Sequence, residues 1–399
     1  AEARVFCDVQ SLDGSPFQGD PRQVLRRHVQ AAHDQGLTFY VAPDLEFFYF
    51  APPEPGQPPR PLDSGGFFDL TTNDATGNLR KQTLRKLEQM SIPVEYSFHE
   101  DSPSQQEIDL RHTDALTMAD SFMTFRLVVK EVAASQGVYA TFMPKPLEGV
   151  QGSGMHLHMS LFRGDENAFY DADDPHQLSP VAKHFIAGLL RHAAEITAIT
   201  NQTVNSYKRL VPGFEAPVHV SWARNNRSGL IRIPVAKKGN PLATRLEYRS
   251  PDPACNPYLA YSLLLAAGLK GIDEGYELPE EASSLLELLD DLPIAVLHPP
   301  TRVGTDVCLE GAVRLDRVDQ FDTRRIDVAT ELSLVSAVII LTEGRRDMHD
   351  PRPGVQGDEV FRDHPPPHRL VTPFLERDPG LRQPCRIEVE GWHVAKTHE

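Results

Sequence analysis

The chain has 399 residues, 40% of them hydrophobic, enough for one large or two medium domains with a sizeable core. A formal net charge of -16 makes nucleic acid and anionic membrane surfaces poor partners. No run reaches the roughly 18 apolar residues of a membrane-spanning helix, no signal-peptide pattern opens the chain, and Cys7, Cys255, Cys308 and Cys385 match no metal spacing, so a cytoplasmic protein with reduced thiols is expected.

Residues 3–9 read as a strand at an abrupt start, which points to a missing N-terminal piece. Asp20 before Pro21, a cap and then a proline, predicts an amphipathic helix to about residue 35. A strand is expected over 37–50 (LTFYVAPDLEFFYF), where Asp44 and Glu46 stand two apart and share a face. Carboxylates in so apolar a strand are costly unless paired or bound to a cation; an exposed edge strand is the plainer reading. Residues 51–62 are proline-rich and read as a surface loop. A helix is expected over 72–90 with Asn73 or Asp74 as cap, then a strand over 94–100 (VEYSFHE) and an alternating strand over 106–110. Glu100 and Glu107 can thus reach one centre. A long helix over 113–136 should bury Met118, Met123 and Phe125.

Residues 142–162, FMPKPLEGVQGSGMHLHMSLF, organise the chain. Gly152, Ser153 and Gly154 make a turn that lets backbone approach a ligand, and alternation then puts His156, His158 and Ser160 on one strand face. That face reads as ligand-binding or simply as solvated. Ser179-Pro180 starts a helix to about residue 200, and Lys208, Arg209 and Glu215 flank Pro212-Gly213 on an expected loop. Residues 218–234 alternate and carry Arg224, Arg227 and Arg232. Arg245, Glu247 and Arg249 share a face over 245–249, as ligand groups or as a structural ion-pair ladder. An apolar helix is expected over 254–272.

Asp44, Glu46, Glu100, Glu107, His156 and Glu247 offer five carboxylates and one imidazole, a donor set for hard divalent cations such as Mg2+ or Mn2+, and enough for two ions. The arginines at 209, 227, 232, 245 and 249 suit phosphate and carboxylate recognition. Two cations with an arginine cluster point to phosphoryl transfer from a nucleotide.

The stretches PKP…GSGMHLHMSL, NSYKRLVPGFEAP, NRSGLIRIP and LEYRSPDPACNPYLA, in order and in register between about residues 5 and 287, resemble those of bacterial-type (type I) glutamine synthetase, and within it the actinobacterial and archaeal variants. The resemblance implies an α+β catalytic domain over 1–290, with a curved antiparallel sheet lined by metal ligands and flanked by helices. It implies that ATP phosphorylates the glutamate side chain and that ammonia then displaces phosphate, giving glutamine for nitrogen assimilation. Two or more Mg2+ or Mn2+ ions per site and a homo-oligomer, a dodecamer in the family, are implied as well. Glu46, Glu100 and Glu107 match the ligands of one metal, and Asp44, His156 and Glu247 those of a second. Gly152, Arg209 and Arg249 match glutamate-binding positions, with Gln151 beside them. Glu215 matches a flap glutamate that closes the site and helps take a proton from ammonium. Arg227, Arg232 and Arg245 match ATP-phosphate positions, with Arg227 and Arg249 also catalytic; Glu95, His158 and Ser160 match nucleotide-side positions. Tyr276 matches a tyrosine adenylylated in some members, although a packing role is expected.

Departures from the family pattern set further expectations. Asp44 stands for the usual Glu, Gln151 for a common Asn, and Phe67 for a tyrosine whose hydroxyl lines the ammonium pocket. The family's N-terminal β-grasp domain is expected to be absent, sparing ATP and metal binding while suppressing glutamine formation. Residues 291–399, rich in Pro, Arg, Asp and His, are expected to be a divergent tail, poorly packed or partly disordered, arising from a change of reading frame. Two alternative readings follow: a γ-glutamyl-amine or polyamine ligase, and a catalytically silent remnant that keeps nucleotide and metal binding.

Overall fold

In the computed structural model, residues 4–70, 76–224, 226, 228–235 and 240–282 and the strand backbone at 386–387 are described. The chain divides into two units, one joining Ala1–Gly19 to Ala329–Glu399 and one spanning Asp20–Val328. In the first, β1 (Val9–Gln10) pairs antiparallel with Arg386–Ile387, and of the strand expected over 3–9 only Val9 belongs to it. The expected divergence of 291–399 otherwise lies outside the described residues.

In the second unit, Asp20 caps α1 (Pro21–Asp34), accepting from the Arg22 N–H at 3.1 Å. β2 (Thr38–Phe50) follows, then α2 (Gly77–Gln89), which starts later than expected; Asn73 and Asp74 lie outside the described residues. β3 (Val94–His99) and β4 (Gln105–Leu110) form a hairpin. Thr113 and Asp114, expected in a helix, form β5 (Thr113–Asp114) instead. The Asp114 carboxylate caps α3 (Ala115–Ser135) by accepting from the Thr117 N–H at 3.0 Å, which draws that helix start two residues on. β6 (Tyr139–Thr141), β7 (Met155–Arg163) and β8 (Glu166–Asn167) come next. The single helix expected to residue 200 breaks at His192 into α4 (Pro180–Arg191) and α5 (Ala193–Thr200). Lys208 and Arg209, expected on a loop, end α6 (Val204–Arg209), which a Thr203–Ser206 capping box closes. β9 (His219–Ala223), β10 (Gly229–Arg232), β11 (Leu246–Tyr248) and α7 (Pro257–Glu274) complete the unit.

Among the described residues ten strands form one sheet, in the order β3-β4-β2-β7-β11-β10-β9, with β5 and β6 on β2 and β8 on β7. Every pairing is antiparallel except β9 with β10, which is parallel, so the sheet is mixed. Alternation reads the same in either direction, which is why the sequence pattern did not separate the two cases.

The period of two divides the sheet. Phe39, Val41, Leu45 and Phe47 of β2, with Met155, Leu157, Met159 and Leu161 of β7, are buried in one core with Met118, Phe122 and Phe125 of α3, Phe185 of α4 and Leu264 of α7. The alternate residues carry the polar and charged groups to the other face. Met118 and Phe125 are core as expected; Met123 is partly buried against it. α4 and α7 meet through glycines: a Cβ on Gly188 would lie 2.2 Å from the Ala267 carbonyl oxygen. Gly188→Ala gains about 1 kcal/mol of helix propensity but forces two backbones apart, and overpacking of this kind costs about 1–3 kcal/mol. Net destabilisation in urea unfolding is expected; an equal or raised midpoint would contradict the close approach. No helix among the described residues is long and apolar enough to cross a membrane.

Candidate active site

Strand register assembles the site. On the face away from the core, Asp44 of β2 stands opposite His156 of β7 and Asp109 of β4, and Glu46 stands opposite Glu107. Glu247 of β11 stands opposite His158 of β7 and Arg232 of β10. Directly opposed residues share a face, so three adjacent sets of partners lay carboxylates, imidazoles and a guanidinium in a row of pairs across the sheet.

A cavity of about 310 Å3 opens over this row. Glu100, Asp101 and Gln105 of the β3–β4 hairpin line it, as do Gln151 and Gly152 of the glycine turn, Arg209, Arg249, Phe214 and Glu215. The Glu46 carboxylate accepts from the Gly154 N–H at 3.0 Å and from Gln105 Nε2 at 2.9 Å, and Gln105 Nε2 also reaches the Gly152 carbonyl at 3.0 Å. Gln105 therefore ties β4, β2 and the turn together. The turn must be glycine: a Cβ on Gly154 would lie 2.3 Å from Arg209 Nη2, and one on Gly152 the same 2.3 Å from the Pro144 carbonyl. Arg209 is itself anchored, Nη1 donating to the Ser250 carbonyl at 2.8 Å and Nη2 to that of Arg249 at 3.2 Å. Lys145 Nζ stands 3.6 Å over the Phe214 ring and donates to the Val150 carbonyl, holding the loop before Glu215 against the loop before the turn. Glu215 adopts φ +50°, a strained conformation for a non-glycine residue and one that clusters at functional sites.

The electrostatics are uneven. Glu247, 1% exposed, pairs with Arg232 and Arg249. Burial alone would raise its carboxyl, but Arg249 and then His158 and Arg232 hold it below the usual range. His156 lies 3.9 Å from Glu46 and 3.6 Å from Glu247; burial, then Arg249 and Arg209, hold it well below the imidazole range, so it is neutral at pH 7 with a lone pair to offer. The opposite shift occurs where carboxylates crowd. Burial and Glu100 push Glu46 up to about 8, and burial and Asp44 push Asp109 up to about 9. Glu107 is raised well above its ordinary value, first by burial and then by Asp109.

Such crowding fits a cation. Asp44, Glu107 and Asp109 present ligand atoms within 4.8 Å of one another, as do Asp44, His158 and Glu247, and among the described residues the buried Asp109 Oδ1 has no hydrogen-bond partner. Oxygen-rich donors of this kind suit Mg2+ or Mn2+. Adding either ion at about 100 times its Kd should raise the unfolding free energy by about 2.7 kcal/mol. The gain should vanish in Glu107→Ala; a melting temperature indifferent to both ions would contradict the fit.

A second cavity, of about 560 Å3, shares Asp44 and Asp109 with the first. Glu95, His158, Ser160 and Arg245 line it, with Tyr40, His112 and Phe162 as a ring wall. Tyr40 meets Phe162 edge-on at 5.2 Å and His112 at 6.1 Å. Arg245 Nε donates to His158 Nδ1 at 3.2 Å, which assigns the other ring proton to Nε2, donating to Asp44 Oδ2 at 3.0 Å.

The cavities thus bring the sequence-derived residues together in two groups. Asp44, Glu46, Glu100, Glu107, His156, Glu247, Gln151, Gly152, Arg209, Arg232, Arg249 and Glu215 line the first; Glu95, His158, Ser160 and Arg245 line the second. Arg227 lies outside the described residues. Of the expected Arg245–Glu247–Arg249 ladder the Glu247–Arg249 pair forms, within the cavity wall, while Arg245 bonds His158 instead. Sequence reasoning missed Gln105 and Asp109, although both share the alternation of Glu107 on β4. It also missed Lys145, whose flanking prolines marked only a loop. Tyr276 is half-buried, with the Arg191 guanidinium 4.4 Å over its ring and its carbonyl bonded to His184 Nδ1 at 2.7 Å.

A family model described as "Glutamine synthetase, catalytic domain" matches residues 18–291. A glutamine synthetase of Mycolicibacterium smegmatis is 57% identical over 281 residues, covering 70% of this chain and 63% of that protein. One of the archaeon Methanosarcina mazei is 53% identical over 273 residues, covering 68% of this chain and 60% of that protein. The chain therefore spans less than two thirds of the length of these relatives. A cryo-EM structure of Plasmodium falciparum glutamine synthetase, 24% identical, superposes with a TM-score of 0.66 over 86% of this chain and 80% of that one, a likeness of fold alone.

Proposed function

Because the chain belongs to the glutamine synthetase family, through its catalytic domain, we propose that it ligates ammonia to the side chain of glutamate at the expense of ATP. A carboxylate is a poor acyl donor because its oxygen is a poor leaving group; phosphorylation converts that oxygen into phosphate. In this reading Glu46, Glu100 and Glu107 hold one divalent cation, and Asp44, His156 and Glu247 a second. When bound, Mg2+ or Mn2+ supplies positive charge to the phosphoryl oxygens. Asp44 is one methylene shorter than the family's usual Glu, and its neighbour Asp109 brings a further carboxylate to the same place.

Arg209, Arg249, Gln151 and the Gly152 backbone hold glutamate, with guanidinium forks matched to carboxylates. Arg232, Arg245 and Arg227, with Glu95, His158 and Ser160, hold the nucleotide, its base against the ring wall of the second cavity. Glu215 takes a proton from ammonium, so that neutral ammonia attacks the acyl phosphate: the C–N bond forms and the C–O bond to phosphate breaks. A cytoplasmic setting and a homo-oligomer belong to the same proposal. One observation carries it: an acid- and arginine-lined cavity and a ring-lined cavity meet at Asp44 and Asp109. The test is phosphate release by the purified chain. Release that needs glutamate, ATP and a divalent cation together is expected, whatever the yield of glutamine from ammonium; ATP hydrolysis indifferent to glutamate would refute it.

A further inference from the structure

We propose that Lys145 is a positioning residue for the proton transfer: its ammonium, seated on the Phe214 ring, sets where the Glu215 carboxylate stands. This rests on the acyl-phosphate reading above, in which Glu215 takes a proton from ammonium, and adds a residue to it.

Lys145 is held from its backbone outward. Its N–H donates to Asn205 Oδ1 at 2.7 Å, and Asn205 Nδ2 donates back to the Lys145 carbonyl at 2.9 Å. Asn205 belongs to α6, which ends at Arg209. Lys145 is 9% exposed, and its stem passes the glycine turn, where a Cβ on Gly152 would meet Lys145 Cδ at 3.3 Å. Burial and then Arg209 disfavour the ammonium. Its charge is met by the Val150 carbonyl and, 3.6 Å away, by the Phe214 ring face. A desolvated cation holds a ring more tightly than an exposed one does.

The loop it holds is anchored at its base. Leu210 and Ala216 are buried and pack together there. Between them Gly213 adopts φ +88° and Glu215 φ +50°. A non-glycine residue keeps such a conformation only where its surroundings over-determine it. Among the described residues two contacts involving charge reach the tip: Lys145 on the Phe214 ring, and Arg249 Nη2 on the Glu215 carbonyl at a long 3.5 Å. Phe214 directly precedes Glu215, so the ring stack fixes the peptide from which the carboxylate projects. Lys145 thereby ties the base, Glu215, to the helix that carries Arg209.

The test compares two acyl acceptors on the full chain with ATP, glutamate and Mg2+. Ammonium must lose a proton before it attacks; hydroxylamine carries a free lone pair near neutral pH and bypasses Glu215. Lys145→Met, which keeps the stem and removes the charge, should lower the ratio of glutamine to hydroxamate at least about tenfold, part of the ~10²–10⁴ that a placed base contributes. Hydroxamate formation itself should change little. Lys145→Arg, which can stack on the ring, should recover most of the ratio, and Phe214→Leu should lower it as Lys145→Met does. A second readout needs no glutamine. Cleavage after Glu215 by a glutamate-specific protease should be about tenfold faster in Lys145→Met than in the parent chain, with cleavage after Glu54 unchanged. A ratio unchanged in Lys145→Met, whether both products persist or both fall equally, overturns the proposal, and so does unchanged cleavage after Glu215. Hydroxamate absent from the parent chain would refute the acyl-phosphate reading, and the protease result would still decide whether Lys145 holds Glu215.

Discussion

Glu247→Ala should lower the unfolding free energy of the cation-free chain by about 3–5 kcal/mol, the cost of removing one partner from a buried ion pair. Glu247 is 1% exposed and stands between Arg232 and Arg249, whose side chain is 5% exposed. Among the described residues Arg249 Nε already lacks a partner. Without Glu247, a buried guanidinium keeps, among the described residues, one long contact, from Nη2 to the Glu215 carbonyl at 3.5 Å. Surface pairs contribute about 0–1 kcal/mol, so the size of the loss separates the two cases. Urea unfolding measures it; a loss below about 1 kcal/mol would mean that solvent already reaches the pair. The double variant Glu247→Leu with Arg249→Met should recover much of the stability while abolishing activity, because an apolar pair avoids the desolvation cost.

Arg249→Gln should lower turnover by about 10²–10³, the usual cost of one preorganised electrostatic group. The Arg249 guanidinium lines the cavity with Arg209 and is fixed by Glu247, so little reorganisation accompanies reaction. Glutamine keeps a donor but loses the charge and the fork. A loss confined to KM would leave Arg249 its glutamate-binding role and remove the catalytic one.

What could be read from the sequence followed from periodicity. The two-residue period put Asp44 and Glu46 on one face of β2 and His156, His158 and Ser160 on one face of β7, and β2–β7 pairing then brought the two faces together with Asp44 opposite His156. Local punctuation was legible at Asp20-Pro21 and Ser179-Pro180, where side-chain caps meet prolines. Three features left no readable mark. The break at His192 has neither glycine nor proline, and α6, only six residues long, was masked by the Pro212-Gly213 turn beyond it. The parallel pairing of β9 with β10 depends on long-range contacts that alternation does not encode. Asp109 was overlooked because its role comes from the cross-strand neighbour Asp44 rather than from its own segment.

The central claim is that this sheet face activates the glutamate side chain as an acyl phosphate. Hydroxylamine traps that species directly, attacking the carbonyl carbon and releasing phosphate to leave γ-glutamyl hydroxamate. The account predicts hydroxamate only when ATP, glutamate and Mg2+ or Mn2+ are all present, and its loss in Glu107→Ala. Hydroxamate formed without ATP, or none formed by chain that binds ATP and cation, would contradict it.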